Sequence, residues 1–294
     1  MDVHIAGGGG IPMSLYEQTR ELLNEYGLRP SKARGQSFLI DANMAAYIVR
    51  EATADGPLNI LEIGPGLGSL TKELLAHAER LLVVEKDRGL ARALQERFMG
   101  DGRLLVVCED FLTLDLETCL GGARPWRVVA NLPYSITTPI LFRLFDHRRH
   151  FDSLFLTLQK EVAQRIAAPS GTREYGALSV AVQMWSEVKI LRRIPPECFF
   201  PRPRVTSALV RFDLREEPAF PLSDAGLFES LSRGLFQHRR KQLANSLAHI
   251  FPHLDKTTLR DTLMELGFPL TARPEELSLR DLARLANALS GGIA

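Results

Sequence analysis

Between Leu58 and Leu158, short apolar runs alternate with stretches in which apolar residues recur every three or four positions. The runs Leu58–Ile63, Leu81–Glu85, Leu104–Val107, Arg127–Ala130 and Leu154–Leu158 have the length of buried strands. Between them, Leu70, Leu74, Leu75 and Ala78, then Leu90, Leu94 and Phe98, fall at helical spacing. Strands alternating with helices predict right-handed crossovers and a parallel sheet covered on both faces, an α/β fold. Val188–Ile194 and Val205–Phe212 follow with no helix-length segment between them, and predict a closing antiparallel hairpin with a long proline-rich connection. Glu216-Glu217-Pro218 marks a linker, and Ser223 to Leu289 is helical throughout. The expected organisation is an extension and leading helix over 1–30, an α/β domain over 31–217 and a small helical domain over 218–294.

The strand ends carry the candidate chemistry. Glu62-Ile63-Gly64-Pro65-Gly66-Leu67-Gly68 closes the first strand, and Ser69 opens a helix. Glycines there let the backbone approach a ligand, and a helix start offers unpaired N–H groups. The spacing is G-x-G-x-G after an acid, not the G-x-G-x-x-G of dinucleotide enzymes, which disfavours an NAD-dependent dehydrogenase. Glu85, about twenty residues on, is placed to bind a ribose diol. Asp110 follows the third strand, where it can accept from an adenine amino group, and Asn131 follows the fourth. Singly, each also reads as a loop residue or helix cap. Together they mark four consecutive strand ends on the side where open α/β sheets bind ligands.

Asn131-Leu132-Pro133-Tyr134 narrows the chemistry. The amide and the Leu132 carbonyl can accept hydrogen bonds from an exocyclic amino group while the aromatic ring stacks on the base carrying it. That suits methylation of a nitrogen that is not basic. Thr138 and Pro139 read as the N-cap and first-turn proline of the next helix.

Composition adds limits. The 294 residues are 45% hydrophobic and 24% charged, enough for a full core, and no apolar run approaches the roughly 18 residues of a membrane span. Met1 to Pro12 contain four consecutive glycines and no signal-peptide pattern, and Met13 is an alternative start. Cys108, Cys119 and Cys198 have neither disulfide-framework nor zinc spacing, which fits a reducing cytoplasm. A net charge of +1 gives nucleic-acid binding no support by itself. The distribution does: Lys189, Arg192, Arg193, Arg202, Arg204, Arg211 and Arg215 outnumber nearby acids, and His238-Arg239-Arg240-Lys241 follows. Either cluster also reads as a solvated face.

Longer motifs recur in order: Gly35-Gln36-Ser37-Phe38-Leu39, Gln159-Lys160-Glu161-Val162-Ala163, Tyr175-Gly176-x-Leu178-Ser179, Phe199-x-Pro201-x-Pro203-x-Val205-x-Ser207 and Arg239-Arg240-Lys241-x-Leu243-x-Asn245-Ser246-Leu247. With the glycine loop and N-L-P-Y, the chain resembles the ribosomal RNA adenine dimethylase family, and within it the KsgA type, from about Lys32 to near the C-terminus. The resemblance implies a class I S-adenosylmethionine-dependent methyltransferase, a Rossmann-like sheet with a C-terminal helical RNA-binding domain. It implies that Ser37 and Leu39 cover the cofactor, Gly64 lies against its methionyl part, Glu85 holds the ribose hydroxyls and Asp110 the adenine amino group. Asn131 would sit between cofactor and target, with Leu132 accepting beside it and Tyr134 and Phe199 walling the base. The family usually has Asn where Ser37 stands, so Ser37 would hold the cofactor through a different hydrogen bond. Arg239, Arg240 and Lys241 would contact phosphates.

The implied activity is dimethylation at N6 of two adjacent adenines near the 3′ end of 16S RNA within the small ribosomal subunit, by a cytoplasmic monomer using no metal. The competing expectations are a large-subunit adenine methylase of the antibiotic-resistance type, and a non-catalytic ribosome-assembly or transcription factor on the same fold.

Overall fold

The computed structural model describes residues 13–31, 35–56, 58–122, 125–237 and 241–292. In chain order the elements are α1 (Leu15–Glu25), β1 (Phe38–Leu39), α2 (Ala42–Thr53), β2 (Leu58–Ile63), α3 (Thr71–Leu75), β3 (Ala78–Val84), α4 (Arg88–Arg97), β4 (Leu104–Val107), α5 (Leu116–Leu120), β5 (Trp126–Asn131), α6 (Thr137–Asp146), β6 (Phe151–Gln159), α7 (Lys160–Ile166), α8 (Ala177–Trp185), β7 (Ser186–Ile194), β8 (Phe199–Phe200), β9 (Ser207–Leu214), α9 (Ala225–Gln237), α10 (Leu243–Ile250), α11 (Lys256–Glu265) and α12 (Leu279–Gly292).

Seven strands form one sheet in the order β4-β3-β2-β5-β6-β9-β7. β2 through β6 pair in parallel, while β9 runs antiparallel to both β6 and β7. The strand order reverses between β2 and β5, so a crevice opens above their carboxyl ends. The five parallel runs and the closing hairpin thus form as their patterns predict. Alternate residues serve the two faces. Leu61, Val128 and Leu156 face one apolar cluster, which continues through Trp185 and Phe212 to Phe228, Leu247 and Leu285 of the C-terminal helices. Ile60, Val129 and Phe155 face a second cluster with Ile48 and Val49 of α2.

Four local expectations are corrected. Ala78 begins β3 instead of ending a helix, because α3 stops at Leu75. The run Leu154–Leu158 is the middle of a nine-residue strand. Thr138 is not the N-cap. A 3₁₀ turn over Tyr134–Ile136 leads into α6, which starts at Thr137 with Ile136 in the cap position and no side-chain cap. The connection between β7 and β9 contains a strand: β8 pairs antiparallel with β1, Phe38 opposite Phe200 and Leu39 opposite Phe199. This two-stranded ribbon sits over the crevice end of the sheet.

Candidate active site

A cavity of about 310 Å³ lies where β2, β3 and β5 end, lined by the 35–39 segment, Glu62, the Gly64–Gly66 turn, Glu85, Lys86 and residues 131–136. The loop that floors it needs glycine. Gly66 has φ +61, and a Cβ there would meet Phe38 Cδ1 at 2.8 Å; Gly68 has φ +80, and a Cβ would meet Leu94 Cδ2 at 2.8 Å. The turn is thus packed between the β1 segment and α4.

Two buried carboxyls flank that turn. Glu62 is 2% exposed and accepts from Thr71 Oγ1 at 2.6 Å; burial pushes its pKa up to about 8, with the charge of Glu85 adding to the rise. Glu85 is also buried and accepts from the Gly66 N–H at 3.2 Å and the Asp87 N–H at 2.8 Å. Burial raises its pKa as well, against those backbone donors. Glu85 therefore presents a fixed carboxyl beside the turn, an acceptor for the two hydroxyls of a ribose diol.

Asn131 is held from above. Its Nδ2 donates to the Ser37 carbonyl at 2.9 Å, so Oδ1 is left as the acceptor, and no described residue donates to it. Ser37 Oγ donates to the Pro201 carbonyl at 2.8 Å, Ser69 Oγ to the Leu39 carbonyl at 2.9 Å, and Ile40 N–H to the Cys198 carbonyl at 2.8 Å. These bonds clamp the 35–40 segment over the crevice. The Ser37 hydroxyl thus ties the segment to the chain near Pro201. Leu132 is buried, its N–H directed at the Thr157 carbonyl 3.4 Å away, and no described residue donates to its own carbonyl. The Tyr134 ring borders the cavity, and its hydroxyl lies 2.6 Å from Ser207 Oγ at the start of β9. Burial raises the pKa of that phenol and keeps it neutral.

The structure therefore gathers Ser37, Leu39, Gly64, Glu85, Asn131, Leu132 and Tyr134 around one cavity. It does not bring in Phe199. That side chain is 2% exposed and packs with Leu39, Ile194 and Leu209, because β8 turns it inward while Phe200 faces α1, edge-on to Tyr16 at 5.6 Å. Asp110 is at the rim, outside the cavity wall. Lys86 Nζ binds its Oδ2 at 2.7 Å and the Leu112 N–H its Oδ1 at 3.0 Å, and Lys86 beside it holds its carboxyl below the usual range. Arg239 and Arg240 lie outside the described residues, and Lys241 is exposed.

Three residues of the site escaped the sequence reading of roles. Glu62 was visible only as the acid before the glycines, and Ser207 only as the end of the proline-rich motif. Lys86 carried no signal. The cavity's mix of fixed carboxylates, glycine N–H groups and an apolar cover fits an adenosyl-type cofactor. Among the described residues, Glu117, His147 and His150 form the group with metal-ligating geometry, within 4.8 Å of one another. It lies outside the cavity wall, and Glu117 Oε1 there already accepts from Arg149 at 2.8 Å and sits 2.7 Å from His150 Nε2. No helix among the described residues is long and apolar enough to cross a membrane.

Comparison with known proteins gives the family and the fold. The ribosomal RNA small subunit methyltransferase A of Halothermothrix orenii is 39% identical over 294 residues, covering 98% of this chain and 95% of its own. That of Magnetococcus marinus is 41% identical over 278 residues, covering 94% and 97%. Among solved structures, a dimethyladenosine transferase from Plasmodium falciparum superposes with a TM-score of 0.74 at 24% identity, covering 84% of this chain and 95% of that one. The 23S rRNA methyltransferase ErmE superposes at 0.66 with 26% identity, covering 86% and 99%. The fold is that of S-adenosylmethionine-dependent methyltransferases. With the family model for ribosomal RNA adenine dimethylases matching residues 29–286, the chain belongs to the ribosomal RNA adenine dimethylase family.

Proposed function

We propose that this protein transfers two methyl groups to N6 of adenines in small-subunit ribosomal RNA, at two adjacent positions near the 3′ end, during small-subunit assembly in the cytoplasm. The observation that carries the reading is the Asn131 amide. Its Nδ2 donates to the Ser37 carbonyl, which leaves its oxygen as an acceptor on a residue that lines a cavity suited to an adenosyl cofactor.

S-adenosylmethionine, when bound, supplies an electrophilic methyl on a sulfonium. Adenine N6 is a poor nucleophile because its lone pair is delocalised into the ring. Asn131 Oδ1 and the Leu132 carbonyl accept from the amino group and favour a pyramidal nitrogen with its lone pair directed at the methyl. Holding the two reactants in line supplies most of the rest. No strong base is needed, since the proton becomes acidic only as the new bond forms. Tyr134 stacks on the target base, worth about 1–3 kcal/mol, and the base must be unpaired or flipped out to reach it. Glu85 holds the ribose hydroxyls, Gly64 borders the methionyl part, and Ser37 and Leu39 cover it. Asp110 takes the adenine amino group once Lys86 shares or releases it. Phe199 supports Leu39 from beneath instead of stacking. Residues 31–217 then form the catalytic unit, and 218–294 an RNA-binding unit.

The test is incubation of unmethylated small ribosomal subunits and, in parallel, unmethylated large subunits with labelled S-adenosylmethionine, followed by nucleoside identification. The expected product is N6,N6-dimethyladenosine in 16S RNA. The similarity to ErmE keeps a large-subunit target as the second reading; label confined to 23S RNA would establish that reading. No transfer to either subunit would exclude catalysis.

A further inference from the structure

Three of the seven basic residues between Trp185 and Arg215 are paired with acids. Lys189 pairs with Glu187 at 2.9 Å and Asp213 at 3.6 Å, Arg211 pairs with Asp213 at 2.6 Å, and Arg202 pairs with Glu197. Arg215 donates to the Gln183 carbonyl at 3.3 Å. Arg192, Arg193 and Arg204 are exposed and have no ion-pair partner among the described residues.

The sheet register places these three at the catalytic end. Ile194 at the end of β7 pairs with Ser207, which also pairs with Gln159 at the end of β6. Ser207 is the residue bonded to the Tyr134 hydroxyl. Arg193 and Arg192 are opposite Ala208 and Leu209, the next two residues of β9. They are thus about one strand spacing, roughly 5 Å of backbone, from the strand that anchors the base-stacking ring. Arg204 stands on the connection that enters β9 at the same end. Arg192 is also braced: its Cζ lies 4.7 Å from the centre of the Tyr47 ring, which Arg50 contacts at 5.0 Å. An arginine braced on an aromatic ring keeps its planar donor fork presented outward at reduced entropic cost.

We propose that Arg192, Arg193 and Arg204 form a phosphate track that grips the RNA backbone flanking the target adenine and feeds the base toward Tyr134. The partner is a phosphodiester strand, recognised by charge and not by sequence. This rests on the reading of the chain as an RNA methylase. The competing role, which the experiment separates, is edge protection, since basic side chains and a bulge guard exposed edge strands from pairing. β7 is an edge strand with a register shift between Ile190 and Arg192.

The experiment compares the full chain with an Arg192→Gln/Arg193→Gln/Arg204→Gln variant. Binding of an RNA hairpin with an adenine-containing loop is measured from 50 to 300 mM KCl, and turnover is measured on unmethylated small subunits. The slope of log affinity against log salt should flatten by about 0.7–0.9 per phosphate contact, so by about two to three in all. KM for subunits should rise on the order of tenfold. The kcat and the affinity for S-adenosylmethionine should stay as in the parent. Replacing all three by Lys should restore the slope, and Lys189→Ala, whose charge is already paired, should leave it unchanged. An unchanged slope and KM in the Gln variant would overturn the track, and self-association of that variant with an unchanged slope would assign the arginines to edge protection. If the parent transfers no methyl to subunits, the methylase reading fails, and the slope still decides the track separately.

Discussion

Replacing Glu62 by Gln turns a buried acid into a measurable probe of the site. In the unfolded chain this carboxyl titrates near 4.5, and in the folded protein near 8, chiefly because burial disfavours the charge. Between those values the folded state holds a proton that the unfolded state has released. The stability it contributes is therefore fully present below about pH 4.5 and is lost as pH rises toward 8. At about 1.4 kcal/mol for each factor of ten in proton concentration, the loss is below about 1 kcal/mol at pH 5 and about 3 kcal/mol at pH 7, and it levels off near 5 kcal/mol above pH 8. Gln at position 62 still offers an oxygen to Thr71 Oγ1 but carries no charge.

Urea unfolding of both proteins at pH steps from 5 to 9, with m-values compared, reads this directly. The Gln variant should be the more stable protein, by a margin that widens with pH as calculated. Glu85, also raised by burial, titrates in both proteins and largely cancels in the comparison. A margin that stays constant across the range would refute the reasoning. A second readout follows from the proposed cofactor's positive charge. A cation beside Glu62 favours its ionised form, so S-adenosylmethionine should bind the parent more tightly at pH 8 than at pH 6. The Gln variant should show little of this dependence.

Asn131→Ala should lower methyl transfer by about 10²–10³-fold, the scale of removing one polar group aimed at a reacting centre. Its melting temperature should remain near the parent's while cofactor affinity falls far less than transfer does, through the lost bond to Ser37, and labelled transfer at the parental rate would refute the assigned role. Ser207→Ala removes the 2.6 Å partner of the Tyr134 hydroxyl. Losing about 1–2 kcal/mol of positioning should reduce kcat/KM on subunits roughly 5- to 30-fold. Tyr134→Phe should give a similar loss and the double variant no more than either alone, whereas additive losses would show that the two residues act separately. Asp152→Ala takes both carboxylate oxygens from buried Arg127, bonded at 2.7 and 3.2 Å, and should cost about 3 kcal/mol in chemical unfolding without altering cofactor binding. A loss below about 0.5 kcal/mol would mean that exposed Asp55 and the Ala52 carbonyl together satisfy the guanidinium.

The sheet was legible because its signals are local. Each parallel strand is a short apolar run between helical patterns, and a residue at a strand's end inherits its place in the crevice from the topology. Gly64, Glu85 and Asn131 are found that way. Phe199 was misplaced because two adjacent phenylalanines carry no indication of which one faces inward. That is decided by pairing of Phe199 with Leu39 and of Phe200 with Phe38, 160 and 162 positions earlier. Asp110 occupies the expected strand end, yet its ion pair with Lys86 depends on how two neighbouring loops lean together. Glu62 has an acid's sequence and a buried group's chemistry, because the protonation it favours comes from the helix and strands packed around it.

The cover of the crevice has a temporal consequence. The bond from Ser37 to Pro201 joins positions 164 residues apart, and the β1–β8 ribbon beside it spans a similar distance. At ordinary synthesis rates of about 5–20 residues per second, the second half of that cover emerges from the ribosome roughly 10–30 s after the first. Until then Asn131 has no settled Ser37 carbonyl to fix its amide. On the role proposed for Asn131, a nascent chain with its glycine loop already folded would not yet transfer methyl, because its cover is completed only after Pro201 has emerged.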